Sequence, residues 1–430
     1  MKSFIRKIVI VILWAEAKCV IRKYKPKIIA ITGSVGKTST KDVIFTVVGD
    51  TIIARKNIKS FNSEIGIPLT ILNCENGWSN IFSWVKNFIK GLVLIIIPAH
   101  YPKWLILEVG ADKPGSIAKV VSWIIPDITV ITRIGDVPVH VEFYKSPEEV
   151  YVEKATLAKA LRPSGILILN GDEDRVLRIR DGIKCRSITY GMKEESIFRG
   201  TNVAIFYEGK NPVGTSFNLE YGGNIFPIII RGVLGNQSVY SALAALATGS
   251  YLKLNIVDMI NKLSTHINPP GRMRIIPGIK GAIIIDDTYN SSPVAAEAAI
   301  HTLKSIKTKG KRIAVLGDML ELGKFTIDEH KKLGILAGEF VDHLITVGPR
   351  SKYIVEGALD AGMSEKNILE YNDSRSAGKY LEGIIHPGDI ILVKGSQGIR
   401  MERTVEEIMA NPEECASLLV RQEEEWENRH

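Results

Sequence analysis

The sequence predicts an α/β protein of two domains, and three observations predict it. Short β-branched runs alternate with helix-length segments from residue 27 onward, the pattern of a mostly parallel sheet covered by helices on both faces. The alternation is interrupted at 197–232 and resumes near residue 280. The first run leads straight into a glycine-bearing loop and a helix. A length of 430 residues agrees, since domains average roughly 150 residues.

The first domain has candidate strands at 27–32, 104–107, 128–132 and 166–169. Within 197–232, Gly, Asn and Pro punctuate short alternating runs at 202–206 and 216–219, which read as an antiparallel β insertion. Residues 238–250 follow as an Ala-rich buried helix. The cluster Asn268-Pro269-Pro270-Gly271 then ends the helical run. Beyond it, strands at 282–285, 312–316, 343–347 and 390–393 form a second, Rossmann-like α/β unit. The expected organisation is a basic leader over 1–27, a central nucleotide-binding domain over 28–275, a C-terminal domain over 276–410, and a charged tail over 411–430 read as a surface helix.

Composition narrows the function classes. With 45% hydrophobic and 24% charged residues, disorder and fibrous repeats are excluded. The net charge is +8, but residues 1–27 hold eight basic residues against Glu16 alone and so account for +7 of it. The remaining chain carries no basic stripe, which argues against nucleic acid as a partner. Four dispersed cysteines without a Cys-x-x-Cys pair exclude a thiolate zinc site and read as reduced thiols of a cytoplasmic protein.

The leader has the outline of a secretory signal. Its apolar run at 8–13 is short, however, and a phosphate loop follows almost at once; an exported enzyme would lack its nucleotide. The run is also too short to span a bilayer. As a helix it places Ile5, Ile8, Val9, Ile12 and Leu13 on one face. A second stripe, Ile81, Trp84, Val85, Phe88, Ile89 and Leu92, runs through 78–97 with Lys86 and Lys90 off it. Each is expected to pack on a sheet or on the other. Together they also fit peripheral contact with the inner face of a membrane.

The chemistry starts at Gly33-Ser34-Val35-Gly36-Lys37-Thr38-Ser39-Thr40. Glycines let the backbone approach phosphate oxygens, Lys37 can reach the β- and γ-phosphates, and the Thr38 hydroxyl can ligate Mg²⁺. Ile31 stands where the longer phosphate loop has its first glycine, so this is a compact G-x-x-G-K-T form. Glu108 closes the 104–107 strand, where ligands bind in such sheets. His140 and Glu142 follow the 128–132 strand and could reach the same edge. Lys154, beside Glu153, reads as a solvated lysine on a helix.

These motifs and their order resemble the Mur ligases, ATP-dependent amide-forming enzymes of peptidoglycan synthesis, and most nearly their D-alanyl-D-alanine-adding branch. The likeness runs over about 28–405. It rests on GSVGKTST at 33–40, KSFNSEIGIPLTIL at 59–72, EVGADKPGSI at 108–117, VHVEFYKS at 139–146, GNQSVYSALAALA at 235–247, PGRM at 270–273, DDTYNSSP at 286–293, VLGDMLELG at 315–323 and LVKGSQGIRMER at 392–403.

The resemblance implies that Gly33, Ser34, Val35, Gly36, Lys37, Thr38 and Ser39 bind ATP phosphates, with Arg272 and Asn290 meeting the nucleotide from the C-terminal side. It implies two Mg²⁺ ions, held by Thr38, Glu108 and His140, and a carbamylated Lys154 that bridges them. Lys37, Glu108, His140 and Lys154 would form the catalytic set. Asn62, Asp318, Lys394, Ser396 and Arg400 would bind UDP-N-acetylmuramoyl (UDP-MurNAc) tripeptide and D-alanyl-D-alanine. Where the family has Lys-Gly-Glu, this chain has Lys154-Ala155-Thr156; Gln237, Ser238, Ser241 and Arg133 are further departures. The family places a uridine-binding domain ahead of its phosphate loop, whereas about 30 residues stand there here. Two other readings are a Mur-like ligase for a different amino acid or precursor, and a non-catalytic nucleotide-binding scaffold at the membrane.

Overall fold

The computed structural model describes residues 3–58, 61–78 and 80–427, which leaves Lys2 of the leader and 428–430 of the tail outside the described residues. Helix α1 (Ser3–Tyr24) leads into β1 (Lys27–Thr32), whose KIIAIT run is buried at every position after Lys27, as a central parallel strand requires. Next come α2 (Lys37–Ile52), β2 (Ala54–Lys56), α3 (Gly66–Leu72), α4 (Ile81–Ile96), β3 (Trp104–Glu108), α5 (Ser116–Val121) and β4 (Ile128–Ile131). Helix α6 (Pro147–Lys159) starts at a Ser146 cap that accepts from Glu149 N, with proline in its first turn. Strands β5 (Ile166–Asn170) and β6 (Arg186–Gly191) complete the parallel part.

The insertion forms three long strands, β7 (Phe198–Glu208), β8 (Asn211–Tyr221) and β9 (Asn224–Arg231). They extend the same nine-stranded sheet, in the order β2-β3-β1-β4-β5-β6-β7-β8-β9. Only the β7–β8 and β8–β9 pairs are antiparallel. The Ala-rich helix Asn236–Tyr251 packs against α2, with Thr40 Oγ1 donating to Ser241 Oγ at 3.3 Å.

The second sheet comprises β10 (Arg274–Pro277), β11 (Ile283–Asp287), β12 (Arg312–Gly317), β13 (His343–Val347), β14 (Ile368–Tyr371) and β15 (Ile390–Lys394), in the order β10-β11-β15-β12-β13-β14. Apart from the antiparallel β10–β11 pair it is parallel. The ends of β1 and β3 bear the phosphate loop and Glu108, and the ends of β11 and β15 bear Asp287 and Lys394. Residues from both sheets line one cleft.

Three expectations change. The tail is not a surface helix: Leu419 and Arg421 are buried, and Arg421 reaches Thr288 O at 3.2 Å, Tyr289 O, and Glu402 Oε2 at 2.8 Å. The net acidity of 411–430 concealed one arginine that fills a buried polar niche. In α1 the inward line is Val9, Leu13, Ala17 and Val20, while Ile5 and Ile8 of the expected stripe face solvent. In α4, Trp84, Asn87 and Gly91 turn inward, and Ile81, Val85, Ile89 and Leu92 are exposed. The two helices do pack on each other, with Glu16 of α1 closing on Gly91 of α4. Among the described residues no helix is long and apolar enough to cross a membrane.

Candidate active site

The loop after β1 is shaped by close approach. At Gly33 (φ 148°) a Cβ would come within 1.9 Å of Thr132 Oγ1, and Gly36 is left-handed at φ 84°. The amides of Ser34 and Val35 donate to Arg133 O at 2.7 and 3.1 Å, tying the loop to the end of β4. Lys37 folds back over the loop, its Nζ donating to Gly33 O (2.9 Å) and Ser34 O (3.3 Å).

Thr38 is where the two domains converge. Its hydroxyl donates to Glu108 Oε2 at 2.9 Å and receives Arg272 from the domain junction at 3.2 Å. The other Glu108 oxygen accepts from Asn62 Nδ2 at 2.8 Å, and Asn57 Oδ1 fixes the Glu108 amide at 2.7 Å. Arg272 is aimed by its neighbours. Gly271 N donates to Asp286 Oδ2 (2.9 Å), Met273 N donates to Asp287 Oδ1 (3.2 Å), and the guanidinium stacks 4.0 Å over Tyr289. Burial raises the Asp286 carboxyl to about 6.

Lys154 is not the solvated lysine its neighbours suggest. It is 1% exposed, and its Nζ donates to Gly33 O at 3.0 Å, the carbonyl that also receives Lys37. The cause is the packing of α6 against β1 and β4. Burial first, then the charge of Lys37, push the Lys154 ammonium well below its ordinary range. Burial also lowers Lys37, which Glu108 partly offsets.

His140 adopts φ 67°, and its Nδ1 lies 2.5 Å from Glu321 Oε2 and its Nε2 3.7 Å from Asp112 Oδ1. The close approach of the His140 imidazole holds the Glu321 carboxyl below its usual range. The nearer of the two carboxylates beside His140 therefore comes from the second domain; Glu142 is exposed and lies against Gly323 instead.

A cleft of about 500 Å³ gathers Ser34 through Thr38, Asn62, Glu108, His140, Arg272 and Asn290. Ser39 lines a smaller pocket beside Gln237, Asp287 and Lys394. Lys394 Nζ bridges Asp287 Oδ2 (2.5 Å) and Asn290 O (3.0 Å) and so shapes the wall carrying Asn290. An adjoining cavity of about 380 Å³ is bounded by His140, Asn290, Glu321, Ser396, Arg400 and Trp426. Asp318 lines neither space. Its buried carboxylate accepts from Arg350 N (3.0 Å) and Ser351 N (2.8 Å), positioning the turn after β13.

Sequence reasoning missed Glu321, Tyr289, Gln237 and Trp426 as site residues. The first three sit inside quoted motifs, so proximity to a motif was an available signal. Trp426 had none, because it reaches the site through the folded-back tail.

Residues 92–249 match the Mur ligase middle domain, and 271–397 match the Mur ligase glutamate ligase domain. The chain is 30% identical over 397 residues to the UDP-N-acetylmuramoyl-tripeptide–D-alanyl-D-alanine ligase of Bacillus subtilis, covering 92% of this chain and 79% of that protein. The chain belongs to the Mur ligase family. As a Mur ligase it is an ATP-dependent amide ligase of peptidoglycan synthesis. The Escherichia coli enzyme of the same name is 26% identical, covering 93% of this chain and 80% of its own. The MurF ligase of Thermotoga maritima, solved with ADP, shares the fold at a TM-score of 0.76 and 24% identity, over 93% of this chain and 83% of that one.

The Mur ligase site fits a nucleotide and a hard cation. Ser34 Oγ, Gln237 Nε2 and Arg272 Nε are buried around the loop without a hydrogen-bond partner among the described residues, which suits polar ligand atoms. Among the described residues no three His, Cys, Asp or Glu side chains form a closed metal site. Thr38 and Glu108 offer adjacent oxygens, the partial donor set that Mg²⁺ completes with phosphate and water.

Proposed function

We propose that this Mur ligase joins D-alanyl-D-alanine to a UDP-MurNAc tripeptide in the cytoplasm, where ATP and the nucleotide-linked acceptor are found. The observation that carries this reading is the pair of adjoining spaces sharing His140, Asn290 and Glu321: a cleft lined by the Ser34–Thr38 loop and a second cavity walled by Ser396, Arg400 and Trp426. The first suits ATP and the acceptor carboxylate, the second an incoming amine. The likeness to the Bacillus subtilis enzyme supports D-alanyl-D-alanine as that amine.

In this reading the amides that open α2 and the Lys37 side chain hold the phosphates, and Arg272 and Asn290 close on the nucleotide from the second domain. A carboxylate oxygen of the tripeptide attacks the γ-phosphorus as the bond to the ADP oxygen breaks, giving an acyl phosphate. Lys37 meets the charge gathering on the transferred group. The free amine of D-alanyl-D-alanine then attacks the acyl carbon; inorganic phosphate departs and the amine releases a proton.

Thr38, Glu108 and His140 would hold Mg²⁺, which supplies charge neutralisation at the phosphoryl oxygens. Lys154 suits carbamylation on chemical grounds, since the reaction with CO₂ needs the neutral amine that burial favours. Asn62 would orient Glu108 beside the acceptor, and Asp318 would act on the amine pocket only through the turn it positions.

The test is phosphate release from ATP with UDP-MurNAc tripeptide and D-alanyl-D-alanine. Turnover dependent on both is expected. Turnover with another amine only would replace this specificity, and an unchanged cellular function in Lys37→Ala would exclude catalysis.

A further inference from the structure

We propose that the outer face of the α1–α4 pair docks on the surface of an anionic lipid bilayer, an inference independent of which amine the ligase adds. Helix α4 exposes Ile81, Phe82, Val85, Ile89, Leu92, Val93 and Ile96, with Phe82 at 82% and Ile96 at 75%. At 3.6 residues per turn these seven fall within an arc of about 120°, continuous along a helix about 24 Å long. Helix α1 adds exposed Ile5, Ile8 and Val11.

The helices run side by side in the same direction. A Cβ at Gly91 would collide with Glu16, and Lys23 Nζ donates to the carbonyls of Leu94, Ile95 and Ile97 at 2.9–3.0 Å. Both turn their buried faces to the core that includes Leu13, Val20, Trp84 and Leu105, so their exposed apolar faces share the outer surface. An apolar band of this extent is unusual on a chain facing only water.

The surrounding charge selects the occupant. Arg6, Lys7, Arg22 and Lys86 are exposed beside the band and have no carboxylate partner among the described residues. No Asp or Glu occurs between Glu75 and Glu108, and the one acid of α1, Glu16, is buried at the helix interface. An apolar helix face rimmed by cations and free of acids matches the boundary between acyl chains and anionic headgroups. A second copy would bring the same cations against themselves. The pair would lie on the surface, since neither helix is long and apolar enough to cross it.

Flotation of the full chain with vesicles tests this. Vesicles of mixed phosphatidylglycerol and phosphatidylcholine should carry the protein, with binding at least about tenfold weaker on pure phosphatidylcholine or in about 0.5 M salt. The triple variant Phe82→Ser, Ile89→Ser, Ile96→Ser should lose flotation while keeping its melting temperature and phosphate release in solution, because these side chains support no core. A Phe82→Trp variant should shift its emission to the blue on anionic vesicles and be quenched by brominated acyl chains. Failure of the full chain to float, flotation undiminished in the triple variant, or a solution dimer that the triple variant makes monomeric would each overturn the proposal. Turnover with D-alanyl-D-alanine bears only on the catalytic reading, so the two can fail separately.

Discussion

Two ammonium groups, Lys37 and Lys154, converge on the carbonyl of Gly33, one from the loop and one from α6. Burial disfavours the charge of both, the charge of Lys37 further disfavours that of Lys154, and Lys154 is the more strongly shifted. If Lys154 acts as its carbamate, Lys154→Ala should lower turnover by at least roughly 100-fold, the upper range for groups that orient a metal site. Added short carboxylates should restore part of it, and the parent's rate should rise with bicarbonate. Full activity in Lys154→Ala would remove the carbamate from the mechanism. Arg272 works at the same scale through stacking and a donor fork, which lysine cannot reproduce. Arg272→Lys is expected to raise KM for ATP by about tenfold, equivalent to about 1.4 kcal/mol. An unchanged KM would mean that the guanidinium does not meet the nucleotide.

At the scale of elements, the α1–α4 contact includes Glu16, buried against Gly91 with one oxygen unpaired among the described residues. Burial raises this carboxyl from 4.5 to about 7. Between those values the folded chain binds more protons than the unfolded one, so stability falls as pH rises from 4.5 to 7 and levels off above. Glu16→Gln should therefore stabilise the protein at pH 8 by roughly 1–3 kcal/mol and have little effect near pH 4.5. Thermal melts of both proteins across that range check the sign. The folded-back tail is a second such element. Arg421→Met strands part of the Glu402 charge and the carbonyls of Thr288 and Tyr289, at an expected cost of roughly 3 kcal/mol. A denaturant titration showing no change in midpoint would mean that the tail contributes nothing to stability.

The whole molecule places its chemistry between two sheets. Arg272, Asn290 and Glu321 reach from the junction and second domain toward Thr38 and His140 of the first. Ligand should therefore stiffen the pair as a unit. Adding ADP and Mg²⁺ at about 100 times Kd should raise unfolding free energy by about 2.7 kcal/mol, and Lys37→Ala should abolish most of that gain. Calorimetry reads both.

The sequence by itself determined the α/β class, the phosphate loop, the strand-end Glu108 and the family, because these rest on local spacing: a strand, a glycine turn and a helix start are contiguous in the chain. It could not show that Lys154 is buried, since helix position alone does not say which face α6 lays on the sheet. Nor could it find Glu321 beside His140 or Trp426 beside Arg400, partners separated by long stretches of chain and joined only when two domains and a tail close on one cleft. The stripes of α1 and α4 were visible as patterns. Which stripe faced inward was decided by tertiary packing: Glu16 closes on Gly91, where a Cβ would collide, Leu13, Val20 and Trp84 fill the core beneath, and the other apolar side chains stay outside.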